Sequence, residues 1–563
     1  MTHRSRIHPW AQRAVPFILG AVLAACGGGG SDPSTPPPSN ETPGNQEPPP
    51  PPPPPAQFTL QLTPEKIAVL HGTSVTVNAK VVREAGFDGA VQVVLSDLPA
   101  GVTAAPVTVA AGETDTVITL TAQPTAAHSL PTTVHGRGTS GDKTADDDML
   151  VTVRGLPGAV DTSFAGGKVI APISTTDEYV NAIAVQNDGR VVLVGRSPTQ
   201  FGMDFALLRR SRDGALDNSF GSNGKVLTAI GAGTASDEAY AAVVQPDNKI
   251  VVVGRTDSGA ASGHDFAVVR YNADGSLDDS FGTGGKVVTA FGPGSDTANA
   301  VVLQDDGKIV VGGETSQNTS GGDFALARYN TDGTLDATFG NGGKVITAIK
   351  TFGGRDAING LLLHTVNGEP RILAVGGEGD FIAARYLPNG TLDAAFGNGG
   401  RISGLFNANI GAARAAAAAD NGKVVIAGHV SHDFALVRLN ADGTLDNGFG
   451  NQGRVLTPVS TTNWDEATAI VRQADGKLVV GGWMYGIGSS GDFAVVRYNP
   501  DGTLDAAFGN AGTVVTPMAA GTKNDLGRAL LLQADERVPA VRALQAGEVS
   551  DQNHDFGLVR YWL

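Results

Sequence analysis

From Val160 onward, apolar residues fall in short runs separated by Gly, Asp and Asn. Runs such as Val251-Val252-Val253 do not alternate with polar residues, which predicts strands covered on both faces. One stretch reads as four strands: Lys286 to Ala290, Ala300 to Gln304, Lys308 to Val311, and Phe324 to Tyr329. Asp306-Gly307 predicts a tight primed hairpin turn between the second and third, and Asp332-Gly333 turns the chain after the fourth. Upstream the pattern changes to strict alternation. Phe58 to Leu62, Ser74 to Val77, Ala90 to Val94, Thr116 to Leu120 and Met149 to Val153 predict half-buried strands at the spacing of a β-sandwich.

The C-terminal pattern repeats. The phrase D-F-x-x-x-R opens at Asp204, Asp265, Asp323, Asp380, Asp433, Asp492 and Asp555. Its arginine always follows five residues later, at Arg209, Arg270, Arg328, Arg385, Arg438, Arg497 and Arg560. The mean spacing is about 58 residues, and an L-D-x-x-F phrase follows each arginine except the last. The missing phrase stands at the other end, as Asp161-Thr162-Ser163-Phe164. Four-stranded units that are apolar on both faces must stack, and radial stacking with matched ends closes a ring. The predicted fold is all-β: a seven-bladed β-propeller over residues 160–563, preceded by an Ig-like β-sandwich over 57–155. The repeat resembles the bacterial delta-60 family, whose copies carry the same two phrases and are taken to form β-propellers. That resemblance implies a fold and an exported location, and no activity. Gly86 to Val91 with Leu98-Pro99-Ala100-Gly101-Val102 resembles immunoglobulin-like modules of bacterial surface proteins, without the Cys–Trp–Cys core, and implies a spacer. His128 and His135 within it read as surface polar residues.

Composition adds an address. Arg4, Arg6 and Arg13 precede an apolar stretch, Ala14 to Ala25, too short to span a membrane, and residues 1–25 read as a signal peptide. Leu23-Ala24-Ala25-Cys26-Gly27 resembles the lipobox of bacterial lipoproteins, which implies cleavage before Cys26 and acylation of its thiol. By the same resemblance, Gly27 in place of aspartate implies sorting to the outer membrane, with the protein facing the periplasm or the surface. Cys26 is the only cysteine, so no intrachain disulfide or cysteine-based zinc site can form. Residues 26–56, rich in Gly and Ser and then in Pro (Pro48 to Pro55 unbroken), form a semi-rigid tether. The whole chain carries 40 Lys and Arg against 56 Asp and Glu, a net charge of −16, which excludes a phosphate-tracking nucleic-acid binder.

Candidate chemistry competes with repetition. A catalytic residue need not occur seven times, whereas residues that build each unit must, so the D-F and R positions are assigned to structure. Asn272-x-Asp274-Gly275-x-x-Asp278 lacks the full ligand set of a calcium loop, and Asx turns explain it better; calcium stays open as the one cofactor considered. His429-x-x-His432 has no third zinc ligand in sequence. The connection before each D-F phrase shortens to Glu378-Gly379 in the fourth repeat and to His429 through His432 in the fifth. That leaves a notch beside longer loops bearing Phe201, Trp483 and Tyr485, the candidate ligand contacts. The functional expectation is a monomeric, membrane-anchored binding module for an envelope glycan or protein. A propeller lyase or hydrolase acting on polysaccharide, and a scaffold without a small ligand, are the alternatives.

If Cys26 carries the lipid, Cys26→Ser moves the protein from the detergent phase to the aqueous phase in a detergent partition assay, with loss of the acyl mass. Retention of both would overturn the lipobox reading.

Overall fold

The computed structural model describes residues 58–563 except 201, 232–235, 258–262, 319–320, 350–354, 407–409, 461–463, 487–490, 520–523, 536 and 551–553. Cys26, the tether and Phe201 lie outside the described residues. Among the described residues the protein is all-β, with nine sheets and a single short 3₁₀ turn at Asp420–Gly422.

Two sheets form the N-terminal part. One contains Phe58–Thr63, Ser74–Arg83, Asp115–Ala122 and Val102–Ala104; the other contains Lys66–Leu70, Lys143–Arg154, Thr132–Ser140, Val91–Ser96 and Val107–Val109. Alternation places Phe58, Leu60 and Leu62 inward, where they share one core with Val77, Val91, Val93, Ile118 and Val151. The first strand divides its pairing. Phe58–Thr63 runs antiparallel to Ser74–Arg83, whereas Lys66–Leu70 runs parallel to Lys143–Arg154.

Seven four-stranded sheets follow, numbered I to VII by their first strands: Tyr179–Val185, Asp237–Val244, Asp296–Leu303, Ile358–Val366, Gly411–Ala418, Asp465–Arg472 and Asp525–Asp535. The first strand of each packs against the first strand of the next, and that of sheet I packs against that of sheet VII. Non-alternating runs fill the space between sheets. Ile250 and Val252 pack toward sheet I with Val192 and Val194, while Val251 and Val253 pack toward sheet III with Ile309 and Val311.

Two details differ from the sequence reading. Lys286–Thr289, taken there as the first strand of a unit, is the outermost strand of sheet II, paired with Phe266 to Val269. Sequence repeat and sheet are therefore offset by one strand, and sheet VII takes its outer strand, Lys168–Ala171, from the start of the array. The Asp306-Gly307 hairpin is also not a two-residue primed turn. The Gln304 and Lys308 backbones pair across a three-residue loop in which only Gly307 has positive φ, at +81°, so a left-handed glycine closes an ordinary turn.

The two repeat phrases meet in one cluster. Arg270 Nε donates to Asp278 Oδ2 at 2.6 Å, Lys249 Nζ reaches the same oxygen at 3.0 Å, and the guanidinium lies 4.5 Å over the Phe281 ring. Arg270 also donates to Thr331 O in the turn of the following sheet at 2.5 Å. The same aspartate between two cations recurs at Asp217, Asp336, Asp393, Asp446 and Asp505. Burial alone would raise these carboxyls, yet hydrogen bonds from the neighbouring hydroxyls, backbone amides and cations hold all six below the usual range. Their contribution to stability is complete above ~pH 4 and declines as pH falls through the folded values. At the ends of the array the cluster joins distant residues: Asp161, fully buried, lies 3.0 Å from Arg542 Nε in an ion pair and accepts from Arg560 Nε at 2.9 Å.

His128 corrects the surface reading. It is half-buried, and its Nδ1 accepts from Trp562 Nε1 and from Thr162 N, each at 3.3 Å, docking the N-terminal sheets onto sheet VII. His135 is exposed and lies 2.7 Å from Asp148.

Asp161→Asn removes a carboxylate shared by two buried guanidiniums and should cost ~3–5 kcal/mol in urea unfolding, the range for breaking a buried pair from one side. A loss under ~1 kcal/mol would show that the chain ends are held by other contacts.

Candidate functional site

In every sheet, I to VII, the first strand carries a one-residue bulge, at Asn181, Tyr240, Asn299, Asn359, Arg414, Thr468 or Arg528. A bulge bends a strand and re-aims the extra side chain. The facing second-strand residue is glycine each time, because the backbones touch: a Cβ on Gly254 would sit 1.9 Å from Glu238 O. At four bulges the side chain donates to a backbone carbonyl of the next sheet. Asn181, Asn299 and Asn359 donate to the carbonyls of Ala239, Ile358 and Ala413 at 2.8–3.0 Å, and Thr468 donates to Gly527 O at 2.9 Å. The other three, Tyr240, Arg414 and Arg528, bond glutamates instead.

Around these bulges opens a cavity of about 700 Å³, lined by sheets II to VI. Arg196 and Arg255 converge on Glu238 Oε1 at 2.6 and 3.0 Å, and the Tyr240 hydroxyl donates to Oε2. Burial works against the Glu238 charge, but these three donors keep it below the usual carboxylate range, and burial with Glu238 pushes the Tyr240 hydroxyl well up. Arg355 binds Glu314 with Nε at 2.6 Å, and Arg414 binds Glu466 at 2.5 Å. His429 is buried with Nδ1 3.7 Å from Glu466, and desolvation lowers its pKa toward the neutral ring. Trp464 stands at the rim, 37% exposed, with the His432 ring centroid 4.2 Å and the His429 centroid 5.8 Å away. The short connection Gly377-Glu378-Gly379 lines the same cavity. The result is a polar bowl of committed donors and acceptors with one aromatic face at its edge.

The sequence-predicted contacts sit elsewhere. Trp483, expected on an exposed loop, is 7% exposed within Leu478–Tyr485, paired with Phe493 and packed 5.1 Å from Tyr485. A continuous strand through Tyr485 buries it, which corrects the exposure reading. Tyr485 is half-buried. Trp464 was missed because it belongs to neither repeat phrase. Its signal was a variable slot just before the first strand: Ser236, Ser295, Arg355, Ile410, Trp464 and Asn524 occupy it in turn.

That slot precedes a buried acid also missed in sequence. Asp237, Asp296, Asp356, Asp465 and Asp525 each accept loop amides, as Asp465 Oδ2 does from Val459 N at 2.8 Å and Ser460 N at 2.6 Å. Each faces the D-F aspartate of the preceding sheet, and burial, with that facing charge added, raises a carboxyl in the pair. At three of these junctions a lysine beginning an outer strand is close by: Lys286, Lys344 and Lys168. The equivalent residue at the Asp433–Asp465 junction is Thr513. There burial, together with the Asp433 charge, pushes Asp465 up to about 6.

Sequence comparison matches residues 245–281, 304–339, 372–396, 420–449 and 473–508 to a family described as a domain of unknown function (DUF5122) beta-propeller. No curated protein matches the chain. Among solved structures, a hypothetical protein from Leishmania major is 12% identical, covering 46% of this chain and 82% of its own, at a TM-score of 0.23. A tail fibre of Staphylococcus aureus phage P68 is 10% identical, with coverages of 72% and 98% and a TM-score of 0.21. A DUF4784 family protein from Bacteroides caccae is 9% identical, with coverages of 87% and 92% and a TM-score of 0.19. Scores this low identify no shared fold. The five matched segments support a propeller-type, all-β repeat protein.

Because Asp465 binds its proton more tightly when folded, its contribution is present below ~pH 4 and is lost as pH rises through 6. Asp465→Asn keeps an amide-accepting oxygen and removes the charge. It should gain stability relative to wild type by on the order of 2–3 kcal/mol between pH 4 and pH 7.5 in urea titrations, with Thr513→Lys recovering part of that gain. A wild-type-to-Asn difference that does not change with pH would refute the assignment.

Proposed function

We propose that this propeller-type repeat protein is a lipid-anchored envelope binding module that takes a neutral or zwitterionic glycan segment at the mouth formed by sheets II to VI. Cys26 provides the anchor, the proline-rich tether the reach, and the N-terminal sheets a spacer fixed to sheet VII through His128 and Trp562. Seven four-stranded sheets, each packed on the next, together with the shared sheet VII, support reading the array as seven blades of one closed ring. The divided first strand and the single core of residues 58–154 support the Ig-like reading of the spacer.

The observation that carries the functional reading is Trp464. A large aromatic surface, part-exposed at the edge of a cavity, packs poorly unless something covers it, and a sugar ring offers an apolar face of matching size. The bowl beside it supplies planar hydrogen-bonding groups of both senses, from Arg414, Glu466, Asn299 and Asn359, as hydroxyl recognition requires. Its arginines are already paired with Glu238, Glu314 and Glu466, so the site is not a strong anion trap. The same pairing, with Glu238 held ionised, favours binding over acid–base catalysis.

The test is binding of the full acylated protein, in detergent, to an array of bacterial envelope glycans. Trp464→Ala should leave the protein folded by circular dichroism and weaken the bound glycan about tenfold or more, as loss of a stacking anchor does. Equal binding by Trp464→Ala, or no bound glycan, would overturn the reading. Trp483→Ala should instead lower stability, because that ring is buried.

A further inference from the structure

At the far end of the first strands from the Trp464 rim, five residues beyond each bulge, a second repeated position stands at the mouth of the hairpin. It holds Gln186, Gln245, Gln304, His364, Ala419, Gln473 and Gln533 in sheets I to VII. Where the amide oxygen contacts the repeat arginine, it supplies an acceptor: Arg209 donates to Gln186 Oε1 at 2.9 Å, Arg328 to Gln304 at 3.4 Å and Arg560 to Gln533 at 3.1 Å. Ala419 has no such oxygen, and Arg438 beside it has no glutamine partner in its own sheet. A second departure lies next to the first. The position just before this glutamine is apolar in six sheets, as Val185, Val244, Leu303, Leu363, Ala418 and Leu532, and is Arg472 in sheet VI.

The two substitutions meet. A cavity of about 180 Å³ lies between sheets V and VI, its lining including Ala419, Asp420, Lys423, Arg438 and Arg472. Lys423 Nζ and Arg438 Nε share Asp446 Oδ2 at 2.8 and 2.6 Å, and Arg472 is steadied by the exposed Asp420 at 2.6 Å. Lys423, Arg438 and Arg472 surround a space several waters in size, with Asp446 and Asp420 as their direct partners and the Asp501 charge felt at Arg438. Loss of a neutral acceptor alone would be a packing defect; loss of an acceptor with gain of a cation at the same spot is the composition of an anion site.

We propose that this cavity is a binding site for one small oxyanion of phosphate or sulfate size. Its oxygens take the acceptor place on Arg438 that glutamine fills in sheets I, III and VII, and bridge to Arg472 and Lys423. The site is separate from the glycan mouth and does not depend on that reading.

The test compares wild type, Ala419→Gln and Arg472→Leu, each of which restores the residue type the other repeats carry. Thermal unfolding is followed in sodium phosphate, sodium sulfate and sodium chloride at matched ionic strength, with calorimetric titration of inorganic phosphate. Phosphate or sulfate should raise the wild-type melting temperature above the chloride value, and Ala419→Gln should abolish that rise without lowering the melting point in chloride. Arg472→Leu should weaken phosphate about tenfold, the loss of one charge-assisted hydrogen bond. An equal oxyanion response in all three proteins, or none in wild type, would overturn the proposal and leave a water-filled gap. Titrating a sulfated disaccharide against inorganic sulfate separates the sources: tighter disaccharide binding that Ala419→Gln abolishes assigns the oxyanion to a glycan, and equal or weaker binding assigns it to the free ion.

Discussion

A carboxylate taken out of water must be given its solvation back, and in this array the L-D aspartate receives it from two cations, one of them the D-F-x-x-x-R arginine. That arginine is buried as well. It spends its remaining donors on a turn carbonyl of the following sheet and its flat face on the phenylalanine three residues after the aspartate. Each cluster thus ties three things at once: the end of a third strand, the loop that leads to the outer strand, and the neighbouring sheet. None of the members is stable alone in so dry a place, so the cluster forms completely or not at all. Repetition of this unit sets the relation between successive sheets, and its copy built from Asp161, Arg542 and Arg560 joins residues 399 apart in the chain.

With the scaffold fixed in this way, the positions left over are free to differ, and the differences gather at the two ends of the first strands. At one end, asparagine and threonine at the bulges link neighbouring sheets, and the sheets that depart from this rule bring arginine–glutamate pairs and Trp464 to the 700 Å³ bowl. At the other end, glutamine is the rule, and the departures at Ala419 and Arg472 line a small cavity with Lys423 and Arg438. The aspartate pairs along the first end add a dependence on pH. Lysine lies near three of them, while the pair beside Trp464 has threonine at the matching place and holds its proton to a higher pH. The L-D clusters weaken as pH falls below ~4 and this junction weakens as pH rises from ~4 through 6, so the two kinds of aspartate respond to pH in opposite senses.

The repeat phrases, the all-β character and the pairing of the two chain ends were legible in the amino-acid sequence, because each depends on residue types recurring at fixed separation. The partner of each repeat arginine was not, since an aspartate eight residues away along the chain is reached only by folding the outer loop back. Trp464 and Trp483 show the limit most plainly. Both lie near loops of variable length, and only strand continuation through Tyr485 decides that Trp483 is buried while Trp464, one residue outside its strand, is not.

What the sequence determined by itself is local and periodic: where strands begin, which residues recur, and that the last unit needs a strand from the first. What the tertiary structure alone decided is which irregular residues become neighbours. Ala419 and Arg472 are 53 positions apart, and neither is conspicuous alone; they line one cavity because adjacent first strands lie side by side, one residue out of register at this pair. Side-by-side packing brings a difference between two repeats together around one cavity, and no one-dimensional reading contains that adjacency.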